Sequence, residues 1–226
     1  LIWPLLAFTF GAVLSLIVWW QTAGIVDRQE KDLFEFRTQE KISAVIHAVE
    51  NQKQLLFGGA GFFNASEEVS RNKWRKYVEI LWETMHLAGA QGLGFAVRLA
   101  PEELPEHVRQ VRADGFPDYS IRPEGERSEY TSIIYLEPFD QRNQRAFGYD
   151  MFSEPVRRKA MEQARDTGRV AVSGKVTLVQ EIDDDVQAGF LIYMPVYRKG
   201  QPISTVEERR AALYGYADGP GHARGW

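Results

Sequence analysis

Residues 1–20 carry no charged side chain; Leu, Ile, Phe, Val and Trp fill the run, with Thr9 and Ser15 as mild polar interruptions. At about 1.5 Å per residue such a stretch reaches across the ~30 Å hydrocarbon core of a bilayer. Trp19 and Trp20 close it, where amphipathic rings favour the headgroup layer. The pattern predicts a transmembrane helix over 1–22. A cleaved signal peptide is the alternative, with a shorter apolar stretch and small residues such as Thr22-Ala23-Gly24 before the cut. The chain opens without Met, so a preceding segment is expected. The first charge is Asp27, and residues 27–41 mix acids and bases without a basic excess, which favours a non-cytoplasmic side for the downstream residues. Residues 25–56 hold neither Pro nor Gly. There Ile42, Val45, Val49 and Leu56 mark one helical face, with Glu40, Lys41, Glu50 and Lys53 opposite. This predicts a long signalling or dimerisation helix over 23–57 whose seam pairs with a second copy, giving a homodimer. Gly58-Gly59-Ala60-Gly61 is expected to end it, each glycine costing about 1 kcal/mol relative to alanine.

Further along, a shorter helix starts from Ser70 as N-cap and runs through Trp74, Val78 and Leu81. Gly92 to Leu99 reads as a strand, Pro101 to Gly115 as a helix carrying Leu104, Val108 and Val111, and Thr131 to Leu136 as a strand. Ser153 as N-cap, Glu154 and Pro155 in the first turn, Val156, Ala160, Met161 and Ala164 on one face, and Gly168 as terminator predict another helix. Residues 170–172, 176–180 and 189–196 are rich in β-formers. The last two are joined across the acidic turn Asp183-Asp184-Asp185, which gives an antiparallel meander. The fold class is α/β in the α+β sense.

Composition narrows the chemistry. A net charge of -4 with no basic stripe argues against a nucleic-acid partner, and the absence of cysteine removes disulfides, thiolate catalysis and zinc-thiolate sites. His47, His86, His107 and His222 lack metal-ligand spacing, and the Asp183–Asp185 turn lacks the spaced oxygens and glycine of a calcium loop. No metal and no cofactor is expected. Gly92-Leu93-Gly94 lacks the third glycine of a dinucleotide fingerprint, and no nucleophile elbow occurs, so the fragment itself is not expected to be an enzyme. Arg157-Arg158-Lys159 reads as the solvent face of its helix.

One stretch is richer than a core needs: Tyr135, Glu137 and Asn143, then Tyr149 and Asp150, place aromatics beside carboxylates and an amide. Such a mixture suits a pocket that stacks a ring and hydrogen-bonds its edges. The same residues can also tie loops to backbones, and Asp150 can help cap the helix near Ser153.

At these residues the sequence resembles the CHASE family of extracytoplasmic sensor domains. The resemblance is carried by Gly92 to Arg98, Ile121 to Arg127, Tyr135-Leu-Glu-Pro138, Asn143, Gly148-Tyr-Asp-Met151, Ser153 to Arg158, Asp166-Thr-Gly168, Ser173-Gly174, Leu178 to Glu181 and Gly189 to Tyr197. It implies a long membrane-proximal helix followed by PAS-like modules with antiparallel sheets over 58–216. It also implies a parent receptor with a second membrane helix and a cytoplasmic histidine kinase, diguanylate cyclase or phosphodiesterase. Plant members bind adenine-type cytokinins; Ser173 matches a ligand-facing threonine of those members, and the counterpart of their purine-recognising aspartate falls within Glu137 to Asn143. The resulting expectation is an input domain outside the cytoplasm, anchored in the inner membrane through lipid contact at 1–22. Its unknown small-molecule or peptide ligand would be held by Tyr135, Glu137, Asn143, Tyr149, Asp150, Ser173 and Tyr193. From Ala217 the chain turns polar and turn-forming where the family continues into an apolar strand, so 217–226 are expected to be a truncated or unstructured tail. Two rival readings remain: a membrane-tethered hydrolase, which needs a nucleophile and base in one cleft, and a passive dimerisation or anchor module with a filled interior.

Overall fold

A computed structural model describes residues 2–85, 92–179 and 188–222. The acidic turn Asp183–Asp185 and His86 lie outside the described residues. The chain begins with helix α1, Ile2–Ala65, and divides into a unit of residues 1–47 and a unit of residues 48–225. In the first unit the described apolar side chains of α1, among them Phe8, Phe10, Leu16, Trp19, Trp20 and Ile42, are exposed in the single chain. Among the described residues no helix is long and apolar enough to cross a membrane. The side chains at 4, 5, 7, 18 and 21–32 fall outside that description, so it covers the expected span 1–22 only in part.

In the second unit α1 runs straight through Gly58-Gly59-Ala60-Gly61, against the expected break. The reason is packing against α2, Arg71–Met85: a Cβ on Gly58 would lie 2.5 Å from Tyr77 Oη, and one on Gly59 would lie 3.3 Å from Trp74 Cη2. Close helix approach offsets the poor intrinsic propensity of glycine. Ser70 caps α2 as expected, its carbonyl accepting from Trp74 N at 3.0 Å.

Then come β1 (Leu93–Leu99), a 3-10 turn (Pro101–Glu103) leading into α3 (Leu104–Ala113), β2 (Tyr130–Glu137), α4 (Gln141–Gln144) and a second 3-10 turn (Met151–Ser153). The chain continues through α5 (Pro155–Thr167), β3 (Ala171–Val172), β4 (Val176–Thr177), β5 (Ala188–Tyr197), α6 (Val206–Ala212) and β6 (Leu213–His222). The N-cap of α5 is Glu154 and not Ser153: the Glu154 carboxylate accepts from Val156 N at 3.0 Å and Arg157 N at 2.8 Å. Gly168 ends α5 in the left-handed region, at φ 69°.

The strands form one antiparallel sheet in the order β2-β1-β6-β5-β3, with β4 also pairing to β5. The described residues thus hold a single six-stranded sheet where several PAS-like modules were expected. Residues 217–222, expected in an unstructured tail, instead complete β6 in the middle of that sheet. Local composition misled here because Pro220 pairs with Leu191 of β5 at a point beyond the last β1 partner, Gly94↔Asp218. A residue without N–H is tolerated where a strand has a neighbour on one side only.

The two sheet faces carry separate cores. Leu56, Ala60 and Phe63 of α1 and Trp74 and Val78 of α2 pack on Leu93, Phe95, Ile192 and Ala217. On the opposite face Met151, Phe152, Ala160, Met161 and Ala164 cover Ala96, Leu136, Tyr193 and Tyr216.

The C-terminal end of α5 is fastened to α6 by Asp166. Its carboxylate accepts from Arg165 Nε at 2.7 Å and from Arg210 Nε and Nη2 at 3.0 and 2.6 Å. The Arg210 hydrogen bond and then Arg165 hold this carboxyl well below its usual range. A lowered folded-state value means the contribution is present above the unfolded value and fades as pH falls through the folded one. Asp166→Asn is expected to cost about 1–2 kcal/mol at neutral pH, read by urea unfolding, with the gap to the parent narrowing in acid. Equal midpoints at neutral pH would show that the clasp carries no stability.

Candidate ligand-binding site

The α5 face of the sheet holds polar groups that a core does not require. Asp218, on β6, is 2% exposed and is flanked in register by Tyr193 of β5 and Gly94 of β1. Gly94 leaves room for the carboxylate: a Cβ there would lie 2.8 Å from Asp218 Oδ1. That oxygen has no hydrogen-bond partner among the described residues. Burial pushes the Asp218 carboxyl up to about 7, opposed by the charge of Arg157.

Arg157, in the first turn of α5, is 3% exposed, so the expectation that it belongs to a solvent face is corrected, while Arg158 and Lys159 are indeed exposed. It lies one helical turn before Ala160 and Met161, on the face that α5 buries. Its Nη2 donates to Thr177 O at 2.7 Å, its guanidinium stands 4.9 Å over the Tyr149 ring, and its Nε has no partner among the described residues. Both Arg157 Nη1 and Tyr193 Oη reach Met151 Sδ, at 3.9 and 3.4 Å. Burial raises the Tyr193 phenol well above its ordinary value, keeping it a neutral donor.

The seven residues expected at the site separate into three groups. Tyr149 and Tyr193 stand together with Met151 on the α5 face. Tyr135 and Glu137 turn to the other face: Tyr135 Oη donates to Val69 O at 2.8 Å, and Glu137 accepts from Arg75 Nε at 3.3 Å and Phe139 N at 3.1 Å. Tyr135 lines an open cleft of about 530 Å³ between the α1–α2 connection and α3. Asn143, Asp150 and Ser173 make local ties. Asn143 Nδ2 donates to Pro138 O at 2.8 Å; Asp150 accepts from Thr131 N at 2.8 Å and Phe152 N at 3.1 Å and lies 3.4 Å from Arg127 Nη1. Asp150 therefore caps the 3-10 turn before α5, and burial raises its carboxyl against those contacts. Ser173 Oγ donates to Gly174 O at 2.8 Å and accepts from Leu191 N at 2.9 Å, beside an open groove of about 450 Å³ lined by Val49, Val172 and Phe190. Asp218 and Arg157 were absent from the expected set. Helical spacing alone could have found Arg157; no local signal marks Asp218.

Residues 67–224 match the CHASE domain. The chain belongs to the CHASE domain family. CHASE domains are sensory modules, and the match includes both faces of the sheet and the polar groups beneath α5. A hybrid signal transduction histidine kinase A of Dictyostelium discoideum is 32% identical over 99 residues, covering 42% of this chain and 5% of that protein. The chain thus corresponds to a small part of that relative's length. Among solved structures, the ligand-binding domain of the Pseudomonas aeruginosa PAO1 amino acid chemoreceptor PctC in complex with GABA is similar at a TM-score of 0.42. That match has 13% identity and covers 80% of this chain and 56% of that one. A likeness of that order carries no argument about this CHASE domain.

Because the Asp218 value is raised on folding, the folded chain takes up a proton between the unfolded value, about 3.9, and about 7. The stability cost of this carboxylate is absent below the unfolded value and grows as pH rises through the folded one. Asp218→Asn should therefore stabilise the chain at about pH 8, and that advantage should shrink steadily below about pH 7 and vanish near about pH 4, measured as the difference in melting temperature between variant and parent. A difference independent of pH would show that Asp218 keeps an ordinary carboxyl.

Proposed function

We propose that this CHASE domain is the extracytoplasmic, small-molecule-sensing input domain of a membrane receptor, and that occupancy beneath α5 is what it reports. The family match over residues 67–224 carries the reading. It is supported by a buried, incompletely partnered polar set around Asp218, Arg157 and Tyr193, which a passive anchor module has no need to keep. The uncharged stretch 1–20 supplies the anchor in the inner membrane, with Trp19 and Trp20 at the headgroup level. The exposed apolar residues Ile42 and Ile46 of α1 supply a seam for a second copy. The output beyond the membrane is a histidine kinase, as the name of the slime-mould relative suggests, or a cyclic-di-GMP enzyme. A ligand moves such a receptor only through its affinity difference between two arrangements, about 1.4 kcal/mol for each tenfold.

The test is thermal melting of the full chain in mild detergent against purines, amino acids, short peptides, amines and organic acids. A saturable hit stabilises by about 2.7 kcal/mol at a hundredfold excess over Kd. At least one compound class is expected to raise the melting temperature, with the rise lost in Tyr149→Ala. In cell membranes the chain should resist carbonate extraction. Silence across the whole panel from a cooperatively melting chain would favour the passive module; release by carbonate would remove the anchor.

A further inference from the structure

Two ionisable side chains of opposite sign lie buried on the α5 face without pairing. Asp218 is 2% and Arg157 3% exposed. Among the described residues no ion pair joins them, and each keeps an unpartnered polar atom, Oδ1 of Asp218 and Nε of Arg157. Taking a charge out of water is costly unless hydrogen bonds replace the lost hydration, so such atoms call for a partner. The carboxylate can only accept and the guanidinium can only donate. A cation alone would leave Nε unmatched, and an anion alone would leave Oδ1 unmatched. A molecule carrying both groups, with no net charge, answers both and leaves the buried set neutral.

Met151, 1% exposed, packs beside Arg157 and beside Tyr193, the strand neighbour of Asp218, and its sulfur receives Tyr193 Oη at 3.4 Å and Arg157 Nη1 at 3.9 Å. A thioether is a weak acceptor on a side chain that readily changes rotamer. A carboxylate in its position would take the same two donors as stronger, charge-assisted bonds. Tyr149 lies against the same Arg157 guanidinium, 4.9 Å from its ring centroid.

We propose that this CHASE domain binds an amphoteric ligand of the amino-carboxylate class. Its ammonium group rests on Asp218, and its carboxylate is held by Arg157 and Tyr193 after Met151 moves aside. The proposal rests on the sensing function given above and names the chemistry of that same site.

The experiment is isothermal titration and thermal melting of the full chain in mild detergent. The probes are α-, β- and γ-amino acids, each paired with its decarboxylated amine and its deaminated acid, and a purine set. At least one amino acid should bind, with both of its truncated partners weaker by about tenfold or more. Asp218→Asn, an isosteric change that removes a buried charge and so preserves the fold, should weaken binding by a similar factor, as should Arg157→Gln. Met151→Ala should bind as tightly as the parent or tighter, because it removes the occupant and none of the ligand's partners. Binding of a purine, an amine or an organic acid that Asp218→Asn leaves unchanged would overturn the amphoteric assignment while leaving the sensing function intact. Loss of binding in Met151→Ala with the fold preserved would overturn the displacement. No response to any probe would overturn both the assignment and the sensing function.

Discussion

β6 pairs with β1 from Gly94 to Val97 on one side and with β5 from Gly189 to Tyr197 on the other, and it alone joins β2–β1 to β5 with β3 and β4. Without it, the inner edges of both halves would lose their backbone partners, each a buried polar group costly to leave unmet. The strand's unusual composition follows from its place. A Cβ on Gly215 would collide with the carbonyl of Ala96 and lie 2.6 Å from the Phe95 ring, and one on Gly219 would lie 2.9 Å from Gln52 Nε2. Glycine here permits close approach of β1 on one flank and of α1 from above. The same strand then supplies both faces: Leu213, Tyr216 and Asp218 toward α5, Tyr214 and Ala217 toward α1 and α2.

Those faces do different physical work. Beneath α1 and α2, Phe63 stacks on Phe95 with ring centroids 3.9 Å apart, and Trp74 packs 5.3 Å from Phe63. Aromatic burial of this kind is a large apolar contribution for a small domain. The α5 face holds Ala160, Met161 and Ala164 over the sheet, but it also buries Asp218 and Arg157 with unmet hydrogen-bonding capacity. Natural folds break local rules where function requires it and compensate elsewhere.

Much of the fold was legible from the residue pattern. The strands at Leu93–Leu99, Tyr130–Glu137 and Ala188–Tyr197 follow β-rich runs, and α5 follows its apolar spacing and its Gly168 stop. The continuity of α1 through three glycines was not, because it depends on the fit of Tyr77 and Trp74 from another helix. The site was legible only in part. Tyr135, Glu137 and Tyr149 are close in sequence, which suggested one pocket. The pleat of β2 sends Tyr135 and Glu137 to the α1–α2 face and Leu136 to the α5 face. Arg157 was hidden by its charged neighbours Arg158 and Lys159, although its spacing from Ala160 and Met161 placed it inward. Asp218 lies in Asp-Gly-Pro-Gly, which reads locally as a turn; its burial comes from the pairing of β6 with strands that are distant in sequence.

The route from the α5 face to α1 is short. Two residues beyond Asp218, the carbonyl of Pro220 accepts a 2.7 Å hydrogen bond from Gln52 Nε2, and Gln52 is buried on α1. Asp218 and Pro220 share one strand, so on the function proposed above a change in what satisfies the carboxylate would act on the same backbone that α1 grips. A carboxylate held without a partner is a high-energy state, and a ligand that supplies one gains more in the arrangement that exposes the site to it. That difference is the quantity a sensor needs. A sheet packed with apolar side chains on both faces would be more stable and would have no such difference to transmit. On the function proposed above, the unpartnered Oδ1 of Asp218, destabilising in itself, is the feature by which occupancy beneath α5 would bias the helix on the opposite face.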